Sequence, residues 1–283
     1  MLLNSIRIVS LISALLIGYF TGSFETLHFL WVLPVSYFGT YAVLAALGFG
    51  FLLLLCRLVD LEVPQEHDSP FYRRALNLYV DAALGLLKTR LHPEGLEKIP
   101  AQGRFMVVCN HLDIMDPVVV SKYFKKSQLA FISKKENAHM WIIGKFMHKT
   151  MCQMINRDNN REGLKTILNC IRLLKEDEVS IAVFPEGYVS LDHKLHHFRS
   201  GVFKIAMKAK VPIVVCDLQN TYNILKSAAK LKPVDVEFHV LDVIQPEQYQ
   251  GLTSVDIGRQ IYNTMAADLG PDLVSQEVTE EAE

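Results

Sequence analysis

Several familiar signals are missing from this chain, and each absence narrows what it can be. Its five cysteines (Cys56, Cys109, Cys152, Cys170, Cys216) are odd in number, scattered and without a C-x-x-C pair, so no disulfide framework is expected. They read as free thiols in a reducing compartment, with Cys109 and Cys216 as small core residues. A net charge of −1 gives no global field that would gather nucleic acid. No internal repeat is present, and no Ser or Cys stands at a recognisable nucleophile elbow. Between Phe29 and Cys56 there is no charged residue at all.

Half of the 283 residues are hydrophobic, and the excess is concentrated in the first 58. Leu2 to Phe20 is apolar apart from Asn4, Ser5, Arg7, Ser10 and Ser13, and at about 1.5 Å per residue it can just cross a bilayer core. The uncharged second stretch is longer than a span requires, with Pro34 as a kink, so it tilts or lies partly in the interface. Only residues 21–28 separate the two, which makes a helical hairpin the simplest geometry. A cleaved signal peptide is the alternative for the first segment. Against it, no A-x-A site appears and a second apolar segment follows at once. Arg57, Arg73 and Arg74 follow the second segment, whereas the connecting loop carries Glu25 and no base. The positive-inside rule then puts both termini and the rest of the chain in the cytoplasm, with multi-pass anchoring in the cell membrane.

Four regions follow from these patterns: a membrane hairpin at 1–60, a polar linker and interfacial helix at 61–90, an α/β domain at 91–270, and an acidic, disordered tail at 271–283. From Leu91 onward apolar strand-like runs (Phe105–Cys109, Leu129–Ser133, Gln153–Asn156, Ser180–Phe184, Pro212–Cys216, Val234–Val243) alternate with helical stretches. The helical stretches are Pro117–Phe124, His139–His148, Arg161–Lys175, Gly201–Lys208 and Val255–Leu269. That alternation indicates a mixed, mostly parallel sheet flanked by helices.

Within it, residues 105–116 pass from a short buried strand into a helix opened by Pro117. His111 and Asp116 fall in the turn, where the carboxylate can orient the imidazole and stabilise the imidazolium formed when the other nitrogen takes a proton. Of the ten histidines only His111 has an Asp five residues on. A structural hydrogen bond would use the same pair, so other stretches must decide. Val183-Phe184-Pro185-Glu186-Gly187-Tyr188 ends another strand and brings out a carboxylate beside a glycine that permits close backbone approach. Met154-Ile155-Asn156-Arg157 ends a third, with a cation suited to a phosphate. Residues 122–165 hold ten bases against three acids, a local basic surface able to attract anionic headgroups.

Taken together these stretches resemble the lysophosphatidate acyltransferase family. Asn110-His111-Leu112-Asp113-Ile114-Met115-Asp116 is similar to its Asn-His-x-x-x-x-Asp block, and Phe184-Pro185-Glu186-Gly187 to its Phe-Pro-Glu-Gly block. Ile155-Asn156-Arg157, Ser133-Lys134-Lys135-Glu136 and Val211-Pro212-Ile213-Val214 resemble three further blocks, in the family order. The resemblance implies that His111 is the general base and Asp116 its orienting partner. It implies further that Arg157 and Lys134 hold an acceptor phosphate, and that Glu186 and Gly187 position the acceptor glycerol. The reaction it implies is direct transfer from an acyl thioester, acyl-CoA or acyl-ACP, to a lysophospholipid acceptor (1-acyl-sn-glycerol-3-phosphate) at the bilayer. No metal or other cofactor and no nucleic acid take part in it. Two departures stand out: Tyr188-Val189-Ser190 replaces the usual Thr-Arg-Ser, and Val215 replaces a second Pro. Another lysolipid or glycerol-3-phosphate is therefore the alternative acceptor, and a non-catalytic anionic-membrane-binding protein is the alternative of another class. The cluster Asp192-His193-Lys194-Leu195-His196-His197 reads as a polar, solvated or headgroup-facing loop rather than a metal site.

Overall fold

The computed structural model describes residues 1–156 and 159–276. Two helices lead the chain, α1 (Leu2–Phe20) and α2 (Phe29–Arg57), and both are long and apolar enough to cross a membrane. They pack on each other along a four-residue repeat on α1, Ile6, Ser10, Ala14 and Gly18, the face that is buried there. Gly18 lets the two helices come close: a Cβ at that position would stand 2.9 Å from Leu33 Cδ2 and push that side chain aside.

Helix α3 (Pro70–Leu86) starts at Ser69, whose hydroxyl accepts the Tyr72 N–H, with Pro70 at the first helical position. It holds the end of α2. Tyr72 Oη donates to the Leu55 carbonyl at 3.0 Å and Tyr79 Oη to that of Gly48 at 2.8 Å. Arg73 is buried rather than a free loop charge. Its guanidinium pairs with buried Asp68 and donates to the carbonyls of Leu129 and Thr150, stitching α3 to the domain behind it. It therefore carries no weight in the positive-inside argument.

The domain consists of β1 (Thr89–Glu94), β2 (Met106–Val108), α4 (Asp116–Tyr123), β3 (Leu129–Lys134), α5 (Ile143–Lys149), β4 (Gln153–Ile155), α6 (Asn160–Lys175), β5 (Ser180–Val183), α7 (Lys204–Ala209), β6 (Ile213–Gln219), α8 (Ile224–Ala229), β7 (Val234–Ile244) and α9 (Ser254–Leu269). The seven strands form one sheet in the order β1-β7-β6-β2-β5-β3-β4. Strands β2 to β6 run parallel; β7 pairs antiparallel with β6, and β1 follows β7. Alternate residues fill two cores. Met106 and Val108 pack with α6, α7 and α9, while Val107, Phe105 and Cys109 pack with α3, α4 and α8. Burial on both faces is what a parallel sheet needs.

Three expectations change. The sheet has a seventh strand, β1, at its edge; its residues are mostly exposed and include Pro93, so it lacked an apolar signature. It also crosses the boundary expected at 90. The acidic tail begins later than 271: residues 271–273 form a 3-10 turn, and Val274 bridges to Leu195, with Leu273 and Val274 against the core. Residues 277–283 lie outside the described residues.

Candidate active site

Strand β2 delivers the chain to its carboxyl end at Val108, and Cys109 N–H still donates to the Val183 carbonyl of β5. Asn110 then acts as a substitute strand residue. Its amide donates to the Leu218 carbonyl at 2.9 Å and accepts the Leu218 N–H at 2.8 Å, fixing the start of the turn to β6. Asp113 Oδ1 accepts the Met115 N–H at 3.0 Å and tightens the turn into α4. His111 and Asp116 therefore meet: Nδ1 lies 2.8 Å from Asp116 Oδ2. The same oxygen accepts the backbone N–H groups of Leu112 at 2.6 Å and Asp113 at 2.8 Å. Thr221 Oγ1 donates to Oδ1 at 2.5 Å. Asp116 is wholly buried, whereas the His111 side chain keeps 17% of its surface exposed. The ring stacks on Phe184, 4.2 Å between centroids and 17° between planes, so both its tilt and its tautomer are held.

Phe184 brings in the second stretch. The Gly187 N–H donates to the Phe184 carbonyl at 3.1 Å, and Gly187 itself has φ of +86°, which closes the turn after β5. Glu186 is turned inward by it and is 1% exposed, so it is not a solvated turn residue. Its Oε1 accepts the His111 N–H at 3.3 Å, while Oε2 has no hydrogen-bond partner. Burial pushes its carboxyl up from the ordinary 4.5 to about 9. Ser190 N–H donates to the His111 carbonyl at 2.8 Å, tying the two turns together.

The histidine-rich segment closes over this pair instead of standing in solvent. Leu195 is completely buried, His193 stacks on Tyr222 at 3.8 Å, and His196 pairs with Asp192 at 2.8 Å. Thr221 and Tyr222 were not legible as site residues, because they come from the loop after β6 and carry no local motif. A cavity of about 180 Å3 lies beside the turn, lined in part by Asn110, Leu112, His193 and Tyr222.

Strand order fixes the rest. His111 follows β2, Glu186 follows β5 and Lys134 ends β3, three consecutive parallel strands opening at the same carboxyl edge. That edge is where open α/β sheets bind ligands. Lys134 is exposed there, about 10 Å from the His111 strand at the usual strand spacing. Arg157 lies outside the described residues. The basic surface expected over 122–165 is partly neutralised. Lys122 and Lys125 both contact Asp81 at 2.6 Å, and Lys145 caps the Val59 carbonyl.

The acyltransferase family model matches residues 90–218, the span that holds His111, Asp116, Lys134, Glu186 and Gly187. Over 183 residues the chain is 34% identical to a 1-acyl-sn-glycerol-3-phosphate acyltransferase of Chlamydomonas reinhardtii, covering 64% of this chain and 53% of that protein. It is 30% identical over 179 residues to a probable 1-acyl-sn-glycerol-3-phosphate acyltransferase of Mycoplasma pneumoniae, covering 62% and 64%. The match thus spans between half and two thirds of those relatives' own lengths. The crystal structure of PlsC, the 1-acyl-sn-glycerophosphate acyltransferase of Thermotoga maritima, shares the fold. The TM-score is 0.59 at 21% identity, over 78% of this chain and 87% of that one.

Proposed function

We propose, from the premise that residues 90–218 match the acyltransferase family model, that the chain moves a fatty acyl group from an acyl thioester to 1-acyl-sn-glycerol-3-phosphate, giving phosphatidate at a membrane surface. The observation that carries this reading is the His111–Asp116 pair standing beside Glu186 at the open edge of the sheet. Nδ1 is engaged by Asp116, so the free nitrogen of the ring takes the proton of the acceptor hydroxyl. The hydroxyl oxygen attacks the thioester carbonyl, the carbon–sulfur bond breaks, and the imidazolium returns its proton to the departing thiolate. Asp116 holds the ring and offsets its transient charge. Glu186, with one oxygen unengaged, meets the acceptor glycerol, and the Gly187 turn lets that acceptor approach the backbone. Lys134, two strands away, holds the acceptor phosphate together with Arg157.

Helices α1 and α2 support membrane anchoring, and the bases Arg57 and Arg74 after them favour a catalytic domain on the cytoplasmic face. The apolar rim of the site, where Ile114 is 66% and Leu191 93% exposed, also supports anchoring. The acyl donor is acyl-CoA or acyl carrier protein.

The test is an acceptor panel on membranes containing the protein, with labelled acyl-CoA and acyl-ACP in parallel. Lysophosphatidate is expected to be used far better than a neutral monoacylglycerol. A charge-assisted hydrogen bond is worth about 1.5–3 kcal/mol, so Arg157→Ala should raise the lysophosphatidate KM about 10-fold or more. The monoacylglycerol KM should move less. Equal damage to both acceptors would make Arg157 structural and remove the phosphate assignment.

A further inference from the structure

Away from the reaction site, three side chains converge where β6, β7 and α9 meet. Asp217 and His239 are direct cross-strand partners in the β6–β7 ladder. Their neighbours Cys216, Leu218, Phe238 and Val240 all point into the core shared with α4, so Asp217 and His239 point the other way, toward α9. Asp268, one residue before the end of α9, meets them there. His239 Nδ1 stands 2.7 Å from Asp268 Oδ2 and 3.5 Å from Asp217 Oδ1.

The buried member of this group is the informative one. Asp217 is 0% exposed, and neither of its carboxylate oxygens accepts a hydrogen bond from outside the cluster; burial beside Asp268 pushes its carboxyl up to about 9. A buried carboxylate left in that condition is costly, and native structures rarely tolerate one without a reason. Among the described residues no Lys or Arg pairs with Asp217 or Asp268, so His239 is the only positive charge available to two carboxylates. With both carboxylates ionised, even a protonated imidazole leaves the cluster with a net negative charge. One donor atom from each residue lies within 4.8 Å of the other two. A cation about 2.1 Å from each donor needs separations of about 3.0–3.4 Å, which small side-chain rotations supply.

We propose that Asp217, His239 and Asp268 hold one first-row divalent cation of the Mn2+ or Zn2+ class. The donor set, one imidazole and two carboxylates, suits those ions better than an all-oxygen cation such as Ca2+. Asp217 and His239 supply the inner ligands. Asp268, with its side chain 35% exposed, forms the side open to solvent, where water completes the coordination. The role is structural bracing. Leu218, the next residue along β6, is the one whose N–H and carbonyl both bond Asn110. A cation that fixes Asp217 therefore stiffens the strand end from which the His111 turn hangs. This site stands independently of the acyl-transfer reading, because none of its three ligands touches the proposed reacting groups.

The experiment uses full-length protein in lipid nanodiscs, stripped with chelator and titrated with MnCl2, with free Mn2+ followed by electron paramagnetic resonance. Wild type should take up one equivalent at micromolar concentration, and Mn2+ should raise its melting temperature. Asp217→Asn and His239→Gln should each weaken uptake at least tenfold and abolish the melting shift. His92→Gln removes another, exposed His–Asp pair, His92 with Asp235, and should leave uptake unchanged. Asp268→Asn, at the open rim, carries the same test should Asp217→Asn fail to fold. Uptake that survives both Asp substitutions overturns the site. So does wild type that takes up no Mn2+ at millimolar concentration while Asp217→Asn is the more stable protein; the carboxyls then merely share a proton.

Discussion

Asp116 opens the helix after β2 and Glu186 follows the neighbouring strand β5; both are sealed from solvent, yet they are furnished in opposite ways. Four donors converge on Asp116: the His111 ring, two backbone N–H groups and the Thr221 hydroxyl. Glu186 receives the backbone N–H groups of His111 and His196, while its Oε2 makes no hydrogen bond. Burial alone does not decide what a carboxyl group does; the count of donors around it does. In the proposed mechanism Asp116 is the acceptor that orients the base. Glu186, with its proton held to about pH 9, is there the neutral acid whose unengaged oxygen meets a substrate hydroxyl. One site thus keeps two carboxyl groups in two roles.

The largest effect should come from breaking the first arrangement. His111→Ala removes the base, and general-base catalysis is worth roughly 10²–10⁴-fold, so labelled acyl transfer by folded, membrane-bound protein should fall by that factor. Asp116→Asn keeps the ring but removes its charged partner and should approach the same loss. Near-normal transfer by His111→Ala would sink the mechanism.

The second test separates the two carboxyls by pH. A folded-state pKa of about 9 against an ordinary 4.5 means that the folded protein binds a proton the unfolded chain releases over that window. The Glu186 contribution is fully present below pH 4.5 and is lost as pH rises toward 9, at up to about 1.4 kcal/mol per pH unit. Glu186→Gln should therefore match wild type in melting temperature near pH 4.5 and exceed it at pH 8. A difference that does not change with pH would mean that Glu186 is ionised in the folded protein.

The smallest effect concerns the donor count itself. Thr221→Val takes one hydrogen bond from Asp116, worth about 1.5–3 kcal/mol for a charged acceptor, so kcat should drop about 10-fold or more with KM little changed. Thr221→Ser should restore most of it. A serine variant as impaired as the valine would show that the methyl group, not the hydroxyl, is what the site uses.

These residues also show where sequence reading succeeds and where it stops. His111 and Asp116 are five positions apart, and a single turn into a helix brings them together, so local pattern was enough to pair them. The sheet's parallel core was legible for the same reason: short β-branched runs such as Ile213 to Val215 announce buried strands. Glu186 was legible as a strand-end carboxylate but not as a buried one, because its seal comes from the segment 191–197 folding over it. The polar letters of that segment conceal a fully buried Leu195. Thr221, 105 residues from Asp116, offered no signal at all. Strand β1 was missed because an edge strand with exposed side chains and a proline has no apolar period. Arg73 was counted among the bases that orient the hairpin, and nothing in its neighbourhood of sequence announces that it will be buried with Asp68.

Helix α2 has ten more residues than α1, 29 against 19. The surplus is the part that α3 grips, through Gly48 and Leu55, while α5 holds Val59 just past the helix end. What remains ungripped, Phe29 to Leu47, is about 28 Å long at 1.5 Å per residue, the same as all of α1 and close to the thickness of a bilayer's hydrocarbon. In the membrane reading, the clamp is then a depth gauge: it sets how far the reacting imidazole rides above the acyl chains it must serve. Adding or deleting one helical turn before Gly48 would move the whole domain by about 5.4 Å along the bilayer normal while leaving every catalytic contact intact.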